Sequence, residues 1–389
     1  MTQNVSTPRR IAHIDMDMFF AGVELLQYPQ LRGLPVVIGG RSGAPEVLPD
    51  GSLKFARLSN YVGRGVVTTS TYEARALGVF SAMGLMKSAK LAPDAILLPS
   101  HFDAYKHYSR LFKEAVAAIA PHIEDRGIDE IYIDLTDMPE ADLMLAQRIK
   151  AAVQSATGLS CSICIAPNKL LAKIGSDLDK PDGLTLLDES SIAIRIWPLA
   201  VRKINGIGPK ATQKLASLDI KTIGELAATD IRLLQAHFSP SYAQWLLDAA
   251  HGRDERPVVT SSEPKSLSRE TTFERDLHAR HDKEQLGAIF TMLCERVADD
   301  LKRKGYVGRT IGIKLRYDDY SIVTRDCSLE TPIQDATAIR KAAGLCLKRA
   351  PLSQKLRLLG VRVSALSREG QTIGSNEAPQ SELPFGTDG

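Results

Sequence analysis

Along the chain, apolar residues recur with a period of two in some stretches and near 3.6 in others, and this alternation predicts the elements. The stretch Ile11 to Phe20 reads as an apolar strand that ends in two carboxylates, Asp15 and Asp17, and two adjacent aromatic rings. Ile11, His13, Asp15 and Asp17 share one face and Ala12, Ile14, Met16 and Met18 the other, so both acids project the same way. A helix is predicted over 21–31 and a short strand over 35–39. From Gly40 to Gly65 the pattern dissolves into Gly, Pro, Ser and Arg, which predicts a long irregular loop or insertion. Regularity returns over 66–75, a strand running into a helix start. There Thr69, Tyr72 and Arg75 gather beside backbone N–H groups without intrahelical partners, which fits either an ordinary capped helix or a phosphate site.

A helix over 101–122 carries an apolar stripe through Tyr105, Tyr108, Phe112, Val116 and Ile119. It leads into two strand segments around Gly127, in which Ile131, Ile133 and Leu135 face a core while Glu130, Tyr132 and Asp134 face away. Asp129 and Glu130 form a second acidic pair at the strand start. A helix over 141–157, a strand over 160–166 and a helix over 168–180 complete an α+β layer, expected as an antiparallel sheet with helices on one face. Two short helices within 199–229 are joined by Ile204-Asn-Gly-Ile-Gly-Pro-Lys210. Gly206 and Gly208 permit a tight turn whose free N–H groups, next to Lys210, suit either a DNA phosphate or a plain helix–turn–helix pack. Gly252 to Pro264 reads as a tether. Beyond it, strands are predicted over 266–273, 310–317, 321–329 and 356–366, with helices over 283–304 and 333–349. Residues 367–389 are poor in core formers and are expected to be disordered.

Composition narrows the class. A chain of 389 residues, 44% hydrophobic and 24% charged, exceeds the size of one core and should form several domains. No apolar run is long enough to span a bilayer, so a cytoplasmic protein without membrane contact is expected. The formal charge of +3 is small but unevenly spread: residues 266–370 hold about 20 Lys and Arg against about 14 Asp and Glu, leaving the remainder slightly acidic. Five scattered cysteines argue against a disulfide framework. Cys161 and Cys164, on opposite faces of a strand, read as buried thiols.

Two acids side by side repel unless a cation lies between them, and an all-oxygen site that handles phosphates suits Mg²⁺. The clusters at Asp15 and at Asp129-Glu130 lie on strands that can be neighbours, and together they supply oxygens for two cations. Paired metals of that kind serve polymerases and nucleases alike. A triphosphate site would additionally need cations such as Arg75 and Lys180 and hydroxyls such as those of Thr69 and Tyr72.

The motifs Ile14-Asp-Met-Asp-Met-Phe-Phe20, Tyr72-Glu-Ala-Arg75, Phe102-Asp-Ala-Tyr105, Ile128-Asp-Glu-Ile-Tyr-Ile-Asp134, Ala166-Pro-Asn-Lys-Leu-Leu-Ala-Lys173, Asp179-Lys-Pro181 and Ile204-Asn-Gly-Ile-Gly208 occur in this order. In them the chain resembles the Y-family translesion DNA polymerases of the DinB, or DNA polymerase IV, type, over about residues 10–366. The resemblance implies an α+β multidomain right-hand polymerase: a ferredoxin-like palm (1–18 and 101–187), small fingers (19–100), a helix-hairpin-helix thumb (188–252), a linker (253–265), a tethered α/β little finger (266–370) and a tail (371–389). It implies Asp15, Asp129, Glu130 and the backbone carbonyl of Met16 as ligands of two Mg²⁺, with Mn²⁺ able to substitute, and Asp17 as a neighbour. Phe19, Phe20, Thr69, Tyr72, Arg75 and Lys180 would meet the incoming dNTP, with Phe20 as the steric gate against a 2′-OH. Gly206, Gly208 and Lys210 would hold primer–template DNA. Gln380, Leu383 and Phe385 resemble a peptide by which a monomeric polymerase docks on the sliding clamp. The short residues Ser70, Thr71, Ser81 and Ala82 fit either a roomy nascent base pair or tight packing.

Two departures from the family pattern stand out: Gly127, where serine is common, and the 40–65 stretch. The rival readings are a catalytically inactive Y-family relative acting as a clamp-bound DNA scaffold, a two-metal nuclease, and a DNA-binding module without catalysis. The scaffold should lack some acidic ligands, and this chain keeps all of them; the nuclease has no use for Phe20 and the triphosphate contacts, and the module leaves the acids unexplained.

Overall fold

The computed structural model describes residues 8–40 and 43–370. Strand β1, Ile11–Met16, turns through Met18, at φ 38°, into helix α1, Phe19–Gln27. There follow β2 (Val36–Gly39), β3 (Glu46–Val47), β4 (Leu53–Lys54), β5 (Ala56–Arg57), β6 (Val67–Ser70), helices α2 (Tyr72–Ala76) and α3 (Leu85–Leu91), and β7 (Ile96–Leu98). Next come α4 (Phe102–Ala117), β8 (Ile123–Asp125), β9 (Glu130–Asp134), α5 (Asp142–Thr157), β10 (Cys161–Ala166), α6 (Lys169–Ser176) and β11 (Leu184–Leu186). Four helices, α7 (Pro209–Ala216), α8 (Ile223–Ala227), α9 (Ile231–His237) and α10 (Pro240–Ala250), complete this part. After it stand β12 (Ser266–Leu277), α11 (Lys283–Lys304), β13 (Tyr306–Tyr317), β14 (Ile322–Ile333), α12 (Ala336–Lys348) and β15 (Leu356–Arg368). The chain divides into two compact units after Ser261. No helix among the described residues is long and apolar enough to cross a membrane.

In the first unit β1 lies at the centre of a five-stranded sheet ordered β11-β10-β1-β9-β8. Its antiparallel neighbours are β10 and β9, while β11 joins in parallel, so the expected purely antiparallel sheet has one parallel edge. The sheet is also covered on both faces, not one. Ala12, Ile14, Ile131, Ile133, Ile163 and Ile165 pack with Tyr105, Phe112 and Val116 of α4 and Leu145, Ile149 and Val153 of α5. On the other face Ile11, Tyr132, Cys164 and Ala166 pack against Leu170, Leu171 and Ile174 of α6. The reason lies in β10, where all six residues are buried, a pattern that no longer alternates. Cys161 and Cys164 are buried free thiols in these two cores.

The 40–65 stretch is more ordered than a loop. β3 and β4 form a small hairpin, and β5 pairs with β7 at the edge of a second sheet, β5-β7-β2-β6. Leu58 is fully buried there, and Tyr61 Oη accepts from the Gly65 amide at 2.9 Å. Two-residue strands are too short to leave a period in the sequence.

The expected tether also begins as part of the first unit. Asn168 Nδ2 donates to the Gly252 carbonyl (2.7 Å), the Leu170 amide to Asp254 Oδ2 (2.9 Å) and the Val259 amide to Glu124 Oε2 (2.8 Å). Glu124 is buried and paired with buried Lys169, which also reaches the Pro257 carbonyl and lies over the Tyr132 ring. In the second unit an antiparallel sheet ordered β12-β15-β13-β14 rests on α11 and α12 over a core that includes Phe290, Leu293, Val297, Ile313 and Val361.

Candidate active site

Asp15 and Glu130 meet because β1 and β9 are in register there: the two residues are direct cross-strand partners. Asp129 precedes Glu130, and its carbonyl accepts the Met16 amide at 2.9 Å. The face that bears these acids is the one α6 covers, but α6 ends at Ser176, which leaves the acidic end of the sheet uncapped by a helix. Two lysines, one on α6 and one just beyond it, bring positive charge to that end. Lys180 Nζ bonds Asp15 Oδ1 at 2.5 Å and lies 3.4 Å from Asp177, and Lys173 bonds Glu130 Oε2.

The electrostatics follow from this geometry. Burial, and then the like charges of Asp15 and Glu130, raise the Asp129 carboxyl above its ordinary pKa. Glu130 goes the other way: the neighbouring His13 ring and the Lys173 ammonium bring it down to about 2 against the burial that would raise it. Burial opposes the Lys180 charge, yet Asp15 and Asp177 more than offset it and its pKa is raised. His13, fully buried beside Tyr132, has a lowered pKa chiefly through burial. Its Nδ1 is 2.8 Å from Ser176 Oγ, whereas Nε2 stands 3.6 Å from Glu130 Oε2, beyond hydrogen-bonding distance.

Asp17 does not share this cluster. It lies past the strand, 4% exposed, and accepts from the Ser160 and Ser162 hydroxyls and the Asp182 amide, each at 2.8 Å. It is a satisfied structural carboxylate that ties β1 to β10 and to the turn after Lys180. Tyr72 reaches it at 3.5 Å and is pushed up to about 12 by burial and by the Asp17 charge. The Arg75 guanidinium lies 4.8 Å above the Tyr72 ring and donates to the Ser70 carbonyl. Tyr72 and Arg75 thus gather beside Asp17, while Lys180 is held by Asp15.

The remaining sequence candidates separate. Thr69 is 7% exposed within β6. Phe19, expected among the nucleotide contacts, is 3% exposed and set edge-on to Phe112, so it presents almost no surface to a ligand. Phe20 is only partly buried and stacks on Tyr105. Ser70 and Thr71 are fully buried with their hydroxyls bonded to backbone, so they pack, while Ser81 and Ala82 are exposed. Gly206, Gly208 and Lys210 are exposed around the start of α7, joined to a single 3₁₀ turn, Val201–Lys203. Gly206 has φ +112°, and a Cβ there would stand 2.7 Å from the Trp245 ring. Gln380, Leu383 and Phe385 lie outside the described residues. Sequence reasoning gave no role to Lys173, His13 or Glu24; Lys173 was legible only as the end of the Ala166–Lys173 motif.

Among the described residues no three His, Cys, Asp or Glu side chains are arranged to hold a metal ion together. In this arrangement two of the three carboxylates are engaged by lysines. The donor set nonetheless fits a hard divalent cation: all its atoms are oxygens, and a dication would relieve the repulsion that raises Asp129.

Three family models match in succession: the impB/mucB/samB family over residues 14–177, its helix-hairpin-helix motif over 189–220, and its C-terminal domain over 264–376. A DNA polymerase IV of Alkalilimnicola ehrlichii is 37% identical, with 96% of this chain and 99% of that protein covered. One from Caulobacter vibrioides is 36% identical over 90% of this chain and 82% of that protein. A solved Y-family DNA polymerase chimera superposes with a TM-score of 0.76 at 25% identity, covering 92% of this chain and 98% of that one. Fold and comparisons together define the class, a multidomain nucleotidyltransferase of the right-hand polymerase kind. The chain belongs to the impB/mucB/samB family, the Y-family translesion DNA polymerases of the DNA polymerase IV type.

Proposed function

We propose that this protein extends a primer 3′-OH with dNTPs on a DNA template, opposite damaged bases, at low fidelity and without proofreading. The observation that carries this is the cross-strand meeting of Asp15 and Glu130, with Asp129 beside them, at the uncapped end of the sheet. Asp15, Asp129, Glu130 and the Met16 carbonyl would hold two Mg²⁺, or Mn²⁺ in their place. Such ions, when bound, activate the attacking hydroxyl and neutralise charge on the transferred phosphoryl group. Lys180, given up by Asp15, would turn with Tyr72 and Arg75 to the triphosphate, where a flexible ammonium and a planar guanidinium both suit phosphate oxygens. Phe20 would lie against the sugar and exclude a 2′-OH that its ring can neither accommodate nor hydrogen-bond.

By the same reading the palm comprises 1–18 and 101–187, the fingers 19–100, the thumb 188–252 and the little finger 266–370. The amides around Gly206 and Gly208, with Lys210, would take a DNA phosphate, and the basic last domain would grip the duplex. The protein would act in the cytoplasm as a monomer docked on the sliding clamp through Gln380, Leu383 and Phe385.

In primer extension with Mg²⁺ and dNTPs, Asp129→Ala and Glu130→Ala should each abolish synthesis while binding of primer–template persists. Unchanged extension by either variant would sink the site assignment. Deleting residues 380–389 should weaken synthesis stimulated by the clamp and leave clamp-free extension intact; equal stimulation of both proteins would remove the clamp peptide from this reading.

A further inference from the structure

Beneath Phe20 runs a chain of side chains, buried at Tyr105 and Glu24 and open to solvent at Phe102 and His101, that the chemistry above does not use. Phe20 stacks on Tyr105 with ring centroids 4.2 Å apart and planes inclined by 20°. Phe102 packs edge-on against both, at 5.9 Å from Phe20 and 5.6 Å from Tyr105. Tyr105 is fully buried, and its hydroxyl donates to Oε1 of Glu24. Glu24, itself 1% exposed, has both carboxylate oxygens 2.9 Å from Nδ1 of His101.

A carboxylate withdrawn from water is costly, and an apolar residue of similar volume would fill the space as well or better. What the polar chain supplies is position. Glu24 stands on α1, the helix that begins with Phe19 and Phe20, and His101 and Tyr105 stand at the start of α4. Stacking alone fixes the spacing of two rings but lets one slide over the other. Tying the Tyr105 hydroxyl to a carboxylate that is held in turn by His101 stops the lower ring from sliding. The upper ring, partly exposed and without a polar atom, is otherwise met by the rings of Phe102 and Phe19, to which it makes no hydrogen bond.

We propose that Glu24, braced by His101, is a positioning residue for sugar discrimination: it pins Tyr105, and Tyr105 holds the Phe20 ring where it excludes the 2′-OH of an incoming ribonucleotide. This rests on the reading of Phe20 as the gate. A gate excludes only while it does not yield, and displacements near 1 Å are enough to change selectivity.

The test is single-nucleotide insertion by the full-length protein on a primed template, comparing kcat/KM for dCTP and CTP. The proteins compared are the wild type, Phe20→Ala, Glu24→Gln, Tyr105→Phe and the Glu24→Gln/Tyr105→Phe pair. Phe20→Ala should lower the dCTP/CTP ratio most. Glu24→Gln and Tyr105→Phe should each lower it by about fivefold to tenfold, and the pair by no more than the larger single effect, because both cut one connection. A merely structural role would depress both substrates alike and leave the ratio where it was. Unchanged ratios in Glu24→Gln and Tyr105→Phe, with a lowered one in Phe20→Ala, overturn this inference alone. An unchanged ratio in Phe20→Ala overturns the gate reading itself. Should Glu24→Gln fail to fold, Tyr105→Phe, which keeps the ring and nearly all its volume, decides the matter.

Discussion

Asp129 is the residue at which stability and the proposed chemistry conflict. Burial and two neighbouring carboxylates raise its pKa above the ordinary 3.8, so the native state binds its proton more tightly than the unfolded chain does. Stability therefore falls as pH rises through the window between those two values, and at neutral pH the fold carries the full cost of the charge. Asp129→Asn should stabilise the protein at pH 7 by on the order of 0.5–1 kcal/mol, with the gain shrinking as pH is lowered toward 4, while synthesis is lost. Thermal melts of both proteins across that range check the sign. Mg²⁺ should raise the melting temperature of the wild type more than that of the variant, since a ligand stabilises only the state that binds it. Glu130 shows why adjacent acids need not behave alike. With His13 and Lys173 beside it and a pKa of about 2, it stays ionised where Asp129 resists ionisation.

Among the elements, α6 does the most with eight residues. Its apolar side covers one face of the central sheet. Lys173 and Ser176 reach β9 and β1, and Lys169 at its start pairs with Glu124 to hold the chain at 257–259. That pair is buried on both sides, so removing one partner leaves the other charge unpaired. Glu124→Gln should cost about 3 kcal/mol of stability or somewhat less, and should raise amide hydrogen exchange over 252–259 more than elsewhere. Uniform exchange in that segment before and after the substitution would show that the pair does not pin it. Gly252 to Pro264 looked like a tether because nothing in it is periodic. Its first half is held by hydrogen bonds to residues at 124, 168, 169 and 170, more than eighty positions away, and local patterning carries no trace of such partners.

At the scale of the whole molecule, both units mix the two signs and only their balance differs. The basic excess falls in the second unit, and on the sheet face turned away from α11 and α12 Lys314 and Arg362 line a shallow groove of about 200 Å³ with Glu270 and Asp326. Those acids pair with the two cations at 2.9 and 3.0 Å, so in the free protein each of the two cations is already matched by a carboxylate. Duplex binding by the full-length protein should weaken steeply with salt. Lys314→Ala with Arg362→Ala should lower affinity alike on unrelated sequences and flatten the log–log salt slope by about 2, roughly 0.9 for each phosphate no longer neutralised. An unchanged slope would place the phosphate-binding cations elsewhere.

The sequence by itself determined the class of element along most of the chain, the two acidic clusters, the family and the charge asymmetry. These depend on neighbours a few residues apart or on motifs in fixed order. Helix 283–304 and the strand around Ile131 were legible because period and burial agree locally. Tertiary structure decided the rest. It alone set Asp15 opposite Glu130, sent Asp17 into a cage of serine hydroxyls, paired the acids with Lys173 and Lys180, buried Phe19 while leaving Phe20 partly open, and put α6 on the sheet's second face. Each is a matter of register or of packing across long sequence separations. A carboxylate's role depends on which charges and donors the fold brings within a few ångströms, and the period of a strand does not encode that.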